Sequence, residues 1–229
     1  MTKRYKDALY YYKKTFKFEF NDANINGGYA TLLTWLQRYE EAEKYFKKSL
    51  KIEPNNLITI KNYILFLSSL NRYIEAEKYI KKILLMEPNN VVNISVFASI
   101  LTNMERYKEA EDYHMKALDL EPDNAILNGN YAQFLLIKSR KKEAKIYIDK
   151  AFENNISENE LTLELWFYRL AHFSEYYDEA KKELDRLLLE GYNSIPWSFD
   201  KNINIAKSEG HPDIKLLETY AKAISVISY

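Results

Sequence analysis

Glu53-Pro54-Asn55-Asn56, Glu87-Pro88-Asn89-Asn90 and Glu121-Pro122-Asp123-Asn124 stand 34 residues apart in a chain of 229. The same period carries Ala42, Ala76, Ala110 and Ala144. Around the first three alanines the chain repeats a Tyr-x-Glu-Ala-Glu-x-Tyr phrase, from Tyr39 to Tyr45, Tyr73 to Tyr79 and Tyr107 to Tyr113. A fourth, weaker copy reads Glu143-Ala144-Lys145-Ile146-Tyr147. A fixed period of this kind marks stacked copies of one small unit that cannot bury its apolar face alone.

Each repeat reads as two helices. In the second repeat Tyr63, Ile64, Leu67 and Leu70 recur at helical spacing. Asn71-Arg72 interrupts them, and a second helix runs through Ala76, Tyr79, Ile80, Ile83 and Leu84. The proline then stops the helix, because it lacks an N–H and clashes with the preceding turn. The small alanines allow two helices to approach closely where they cross.

These residues resemble the tetratricopeptide-repeat (TPR) family, over repeats at 23–56, 57–90, 91–124 and 125–158. The family's small first-helix position falls at Ala30, Ile64, Ala98 and Ala132, with Ile64 a departure. A large residue precedes it at Tyr29, Tyr63, Phe97 and Tyr131, and a leucine follows at Leu33, Leu67, Leu101 and Leu135. The second helix contributes Phe46, Ile80, His114 and Ile148. The tryptophan-type residue that usually opens a repeat is missing, and Asn26, Ile60, Ile94 and Asn128 stand in its place. The resemblance implies an all-α fold, a right-handed superhelical solenoid of antiparallel helix pairs forming a single domain over 1–229.

The edges depart from the pattern. Ala180 follows Ala144 by 36 residues, so a degenerate fifth repeat is expected over 159–194. Its first helix would carry Trp166, Phe167, Leu170 and Ala171, its second Ala180, Leu184, Leu187 and Leu188, with Gly191 as the stop. Residues 195–229 are expected to form C-terminal capping helices: a loop at Asn193–Trp197, a short helix near Asp200–Ser208, a turn at Gly210-His211-Pro212 and a last helix to about Ile227. At the other end Tyr5, Asp7, Ala8 and Tyr11 match a second helix whose partner is absent, so 1–22 is read as an N-terminal capping helix. Weak homodimerisation through residues 3–18 (Tyr5, Leu9, Tyr12, Phe16) would cover its open face.

Composition narrows the function. Thirty-three Lys and Arg balance 33 Asp and Glu, which argues against the positive field that nucleic acid or anionic lipid requires. Most of the 20 tyrosines recur at the repeat period, so they are packing positions and not stacking platforms for single strands. The absence of cysteine excludes disulfides, thiolate zinc sites and thiol nucleophiles. With 5 glycines and no GxGxxG or GxxxxGK[ST] run, nothing cradles a phosphate. His114 replaces Phe46 and Ile80 of sister repeats and is read as core; His172 is placed toward the groove with no acidic neighbour expected to orient it, and His211 lies in the tail turn. Glu40, Glu41 and Glu43 lie beside Lys44, Lys47 and Lys48 and are read as a solvated ion-pair face. No catalytic, metal or cofactor residues are expected. No secretory signal or run of about 18 apolar residues is present, which gives a cytoplasmic expectation with no membrane partner.

By resemblance, the first helices of the repeats line a concave groove. Asn24, Thr31, Trp35, Lys61, Asn62, Leu65, Ser99, Asn103, Asn130 and Gln133 are its candidate binding residues. Gly27, Ile58, Val92, Ser95, Thr102 and Ile126 are placed there too, and Arg169, His172 and Phe173 would extend it. The set is mostly neutral. Only Lys61, Asn62 and Asn130 resemble the Lys/Asn clamp with which family members grip acidic chaperone tails, and Leu65 and Ile126 fall where that clamp needs polar groups. The expected partner is therefore an extended peptide or a helix of another protein, held by amides and apolar contacts with Trp35 as the aromatic anchor. The expected role is a non-catalytic adaptor, scaffold or co-chaperone-like module. The alternative is a subunit that docks into a larger assembly through its N-terminal helix or convex face.

Overall fold

Asp22, Asn56, Asn90 and Asn124, again at the repeat period, each start the first helix of a pair. In the computed structural model, which describes residues 7, 10–12, 14, 22–155, 160–194 and 199–225, their side chains accept backbone N–H groups of the opening turn. Asp22 takes Ile25 N–H at 2.9 Å, Asn56 takes Thr59 at 2.9 Å and Asn90 takes Asn93 at 3.1 Å. Asn124 takes Ile126 and Leu127 at 3.0 and 3.2 Å. Such caps contribute about 1 kcal/mol each. The last residue of the Glu-Pro-Asn/Asp-Asn phrase is thus a helix start, a role beyond the stop signal of its proline.

In chain order the repeats supply α1 (Ala23–Trp35) then α2 (Tyr39–Ile52), α3 (Leu57–Ser69) then α4 (Tyr73–Met86), α5 (Val91–Asn103) then α6 (Tyr107–Leu120), and α7 (Ala125–Ile137) then α8 (Lys141–Asn154). A fifth pair is α9 (Glu160–His172) and α10 (Tyr177–Leu189), joined through a 3₁₀ turn at Ser174–Tyr176. Two further helices follow, α11 (Asp200–Ser208) and α12 (Ile214–Ser225). No strand occurs among the described residues, so the fold is all-α and built from helix pairs. Of the helix expected near the N-terminus, residues 10–12 are helical, whereas Tyr5, Leu9 and Phe16 lie outside the described residues. So do 156–159, within the stretch Asn154–Glu160 where the 36-residue spacing from Ala144 to Ala180 places two extra residues.

Within the first four repeats the turn between helices is made the same way. Gln37, Asn71, Glu105 and Ser139 adopt φ of 57°, 57°, 61° and 55°. In the second repeat Asn71 N–H bonds Ser68 O at 3.0 Å and Arg72 N–H bonds Leu67 O at 2.9 Å, the paired closure that normally carries glycine at its left-handed residue. Glycine does occupy that place at Gly191 and Gly210, with φ of 88° and 80°.

The chain divides into two compact units, one ending at Glu105 and one starting at Arg106. In unit 1, α1 packs against α2 and α3, α2 against α3, α3 against α4, and α4 against α5. Ala30, Ala42, Ile64, Ala76 and Ala98 are buried at these crossings. Ile64, the family departure, is accommodated in the core. Edge-to-face tyrosine pairs tie first helices to second ones: Tyr29–Tyr45 at 4.7 Å and Tyr63–Tyr79 at 5.0 Å. Unit 2 repeats the contact with Tyr131–Tyr147 at 4.7 Å, and its Ala110, Ala132, Ala144 and Ala180 are buried. His114 is core as expected, with its ring 5.2 Å from Phe134 and burial pushing its pKa down to about 3.

The charged face is organised by arginine more than by the lysines. Arg38, Arg72, Arg106 and Arg140, one per repeat, each grip the glutamate three residues on: Glu41, Glu75, Glu109 and Glu143. Lys47–Glu43 and Lys81–Glu77 add lysine pairs four residues apart on the helices.

In unit 2 the tail does more than follow α10. Helix α11 packs against both α7 and α9, the first helices of their pairs, and α12 packs against α9, α10 and α11. Part of the face of unit 2 formed by its first helices is therefore crossed by the chain's own helix, while Ile126 on α7 stays exposed. The buried Phe199 at the start of α11 stacks 4.3 Å from Phe167.

Candidate partner-binding surface

In unit 1 the face formed by the first helices keeps apolar side chains in solvent. Trp35 is 52% exposed, Ile58 69%, Leu65 47% and Val92 64%. Ile58 and Val92 hold the same place in successive repeats, and Ile126 of unit 2 holds it again. The opposite faces of these helices are filled by Leu33, Tyr63, Leu67, Phe97 and Leu101, so core packing does not account for the exposed set.

Polar groups link the helices beneath that set. Asn62 Nδ2 donates to Thr31 Oγ1 at 3.1 Å, and Thr31 donates to Gly27 O, which joins α3 to α1. The Asn56 cap donates to Asn24 Oδ1 at 2.8 Å. Lys61 Nζ donates to Glu87 Oε2 at 3.1 Å, and the same oxygen accepts Asn93 Nδ2 of α5 at 2.7 Å. Those two bonds, Lys61 first, hold the Glu87 carboxyl below its ordinary range. Ser99 O accepts Asn103 Nδ2 at 3.0 Å. Asn24, Thr31, Trp35, Lys61, Asn62, Leu65, Ser99 and Asn103 therefore all sit on α1, α3 and α5 of one unit, with the lysine charge already neutralised. Three of the wider set are corrected. Ser95 and Thr102 are buried, and Gly27 lies so close to α3 that a Cβ there would stand 2.4 Å from Thr59 Oγ1.

Unit 2 differs because α11 crosses its corresponding face. Asn130, the counterpart of Asn62, is buried, while Gln133 on the same helix is half-buried. His172 and Phe173, expected to extend the groove, are buried as well, and His172 Nε2 lies 3.4 Å from Asn202 Nδ2 of α11. Arg169 is held by Asp149 at 2.8 Å and stacks over Phe152, Trp166 and Tyr176 at 4.1, 4.9 and 4.4 Å. Arg38, Arg72, Arg106 and Arg140 repeat at the same period as the alanines, a signal in the sequence for their grip on the glutamates. The crossing of α11 had no such signal.

Among the described residues no group of three His, Asp or Glu is placed to hold a metal ion, and no helix is long and apolar enough to cross a membrane. What the surface of unit 1 offers is amide and hydroxyl hydrogen bonding beside apolar contact.

A sequence profile of the tetratricopeptide repeat matches residues 24–56 and 96–124. No curated protein matches the chain. Among solved structures, a tetratricopeptide repeat protein from Parabacteroides merdae superposes with a TM-score of 0.68 at 19% identity, over 96% of this chain and 78% of that one. PilF of Pseudomonas aeruginosa gives 0.60 at 20% identity, over 82% and 85%. MamA of Desulfovibrio magneticus RS-1 gives 0.59 at 21% identity, over 66% and 85%. At these identities the likeness is one of fold.

Proposed function

Because the chain is a tetratricopeptide-repeat protein, we propose that it is a non-catalytic interaction module that binds a peptide or helix of a partner protein on the first-helix face of unit 1. One observation carries the reading. Part of the same kind of face is crossed by the chain's own α11 in unit 2, while in unit 1 it bears exposed Trp35, Ile58, Leu65 and Val92. A short amphipathic helix such as α11 is thus the kind of element this face accommodates. Trp35 is the anchor, Leu65 and Ile58 supply apolar contact, and Asn24, Thr31 and Asn62 supply hydrogen bonds. In unit 2, Asn130 and Gln133 belong to the covered face, so the role proposed for them narrows to holding it.

A second reading keeps one observation of its own. Tyr10 and Tyr11 are more than 60% exposed on helical residues, while Tyr12 rests 5.4 Å from the Tyr29 ring. Docking into an assembly, or onto a second copy, through this segment would cover them.

Affinity capture from host lysate with three baits separates the two. The intact chain is compared with a face variant (Trp35→Ala, Leu65→Ala, Asn62→Ala) and an N-terminal variant (Leu9→Glu, Tyr12→Glu), each checked for native helicity. A partner lost only with the face variant supports the adaptor reading. A partner lost only with the N-terminal variant overturns it in favour of the subunit reading.

A further inference from the structure

We propose that the chain associates with a second copy of itself, setting the outer side of the second helices of unit 1 against the outer side of α6 in unit 2. The zero net charge of the chain is unevenly spread. Residues 1–105 carry 16 Lys and Arg against 11 Asp and Glu, a charge of +5. Residues 106–229 carry 17 against 22, a charge of −5. Neutrality over the whole chain thus conceals two oppositely charged units.

The repeats locate the difference. On α2, Lys44 and Lys51 stand two turns apart on the side opposite its buried Ala42, Phe46 and Ser49. Lys78 and Leu85 hold the same places on α4, opposite buried Ala76, Ile80 and Ile83. On α6 those places are taken by Asp112 and Asp119, opposite buried Ala110, His114 and Ala117. One repeat position therefore reads lysine, lysine, aspartate, and the position two turns later reads lysine, leucine, aspartate. Lys44, Lys51, Lys78, Asp112, Asp119 and Asp123 are all exposed, and among the described residues none of these side chains makes an ion pair or hydrogen bond. Arg38, Arg72 and Arg106 are by contrast each engaged by a glutamate of their own repeat. Lys82 Nζ of α4 donates to Pro54 O, just past the end of α2, at 2.5 Å, so the two lysine-bearing helices lie side by side.

Apolar side chains accompany the charges on both faces. Ile52, Met86 and Leu120 hold one further repeat position and all three are exposed, as are Leu85 and Met115. A contact between copies covers these groups at its centre and sets lysines against aspartates around them, the apolar core and polar rim of a protein interface. Two features favour a second copy over a lipid surface or a nucleic acid. The complementary acidic face is carried by the same chain, so every solution of the protein supplies it at equal concentration. The apolar position is also shared by both faces, which a phosphate backbone would leave unused. These second helices lie apart from Trp35 and Leu65 on the first helices, so the inference is independent of the peptide reading.

Analytical ultracentrifugation of the full chain at about 0.1 M and 1 M salt reads the association, because the Debye length falls from about 10 to 3 Å between them. Concentration-dependent mass above that of one chain is expected at the lower salt, with association at least about tenfold weaker at the higher. Two charge-reversed chains sharpen the test. One carries Lys44→Glu, Lys51→Glu and Lys78→Glu, the other Asp112→Lys, Asp119→Lys and Asp123→Lys, and each is checked for native helicity. In either chain alone both faces have the same sign, so each is expected to be monomeric. Mixed, the two are expected to associate again, because every acidic face of the first meets a basic face of the second. Association that survives either reversal or high salt, as a contact through Tyr10 and Tyr11 would, overturns the proposal. So does an unaltered chain that stays monomeric at low salt, whether or not it binds phosphatidylserine vesicles. The salt response of the unaltered chain stands even if a variant fails to fold.

Discussion

Arg72 reaches back to Glu43 with two hydrogen bonds, Nη1 to Oε2 at 2.7 Å and Nη2 to Oε1 at 2.9 Å, while its Nε and Nη2 also hold Glu75. One guanidinium therefore fastens the second helix of one repeat to the second helix of the next. Glu43 also accepts Tyr63 Oη–H at 3.3 Å and pairs with Lys47. Arg140 and Glu111 reproduce the link in unit 2, with Tyr131 in the place of Tyr63. The Arg72 hydrogen bonds hold the Glu43 carboxyl down at about 2.

Arg72→Met should lower stability near pH 7 by about 1–2 kcal/mol, less than a fully buried charged pair because both side chains are partly in solvent. Glu43 is depressed relative to an unfolded value near 4.5, so its contribution is complete above that pH and is lost as pH falls through about 2. Urea unfolding of both proteins should show the gap narrowing across that interval. A gap that stays constant would assign the effect to packing of the arginine stem.

His114 makes the opposite kind of pH dependence. Buried and held neutral, it binds its proton only near pH 3, whereas the unfolded chain takes one near 6.5. Stability is thus present above about 6.5 and drains away as the solution is acidified. By pH 5 this single group accounts for about 2 kcal/mol. His114→Phe, the residue that the first repeat carries at Phe46, should remove that share and raise the urea midpoint at pH 5 relative to the unaltered chain. His172 acts in the same direction and should leave some residual slope.

Glu164 works from the alkaline side. It is buried on α9, accepts the Ser194 hydroxyl, and burial lifts its pKa to about 8. The folded chain keeps a proton there that the unfolded chain releases near 4.5, so stability falls as pH rises from 4.5 through 8. Glu164→Gln preserves an acceptor for Ser194 and cannot ionise. Its melting temperature should exceed that of the unaltered chain above about pH 8 and lose the advantage near pH 4. No difference at high pH would mean that solvent reaches the carboxyl.

Gln37, Glu105 and Ser139 hold left-handed backbone that favours glycine. Replacing Ser139 or Gln37 by Gly should relieve about 1–2 kcal/mol of conformational cost, partly offset by the greater freedom of Gly in the unfolded chain, for a net gain of about 0.5–1 kcal/mol. Asn71→Gly should change little, since asparagine tolerates this conformation and its Oδ1 accepts the Tyr73 hydroxyl at 2.7 Å. Calorimetric melting of the three variants would rank them.

The repeats were legible because periodic burial leaves a periodic text. Each of Ala42, Ala76, Ala110 and Ala144 is buried for the same steric reason, so one correct register places all four. The asparagine caps and the arginine series carry the same period, so the same register places them. The surface of unit 1 followed from that register. Asn130, His172 and Phe173 did not, because what buries them lies outside the repeats, in a helix whose landing place on α7 and α9 no spacing encodes.

That same helix sets an order of events during synthesis. Helices α7 and α9 leave the ribosome before α11, whose last residue lies 36 positions beyond the end of α9. At about 5–20 residues per second the nascent chain presents this uncovered apolar face for about 2–7 s. For that interval unit 2 offers to chaperones, and to neighbouring nascent chains, a surface that the finished protein withdraws.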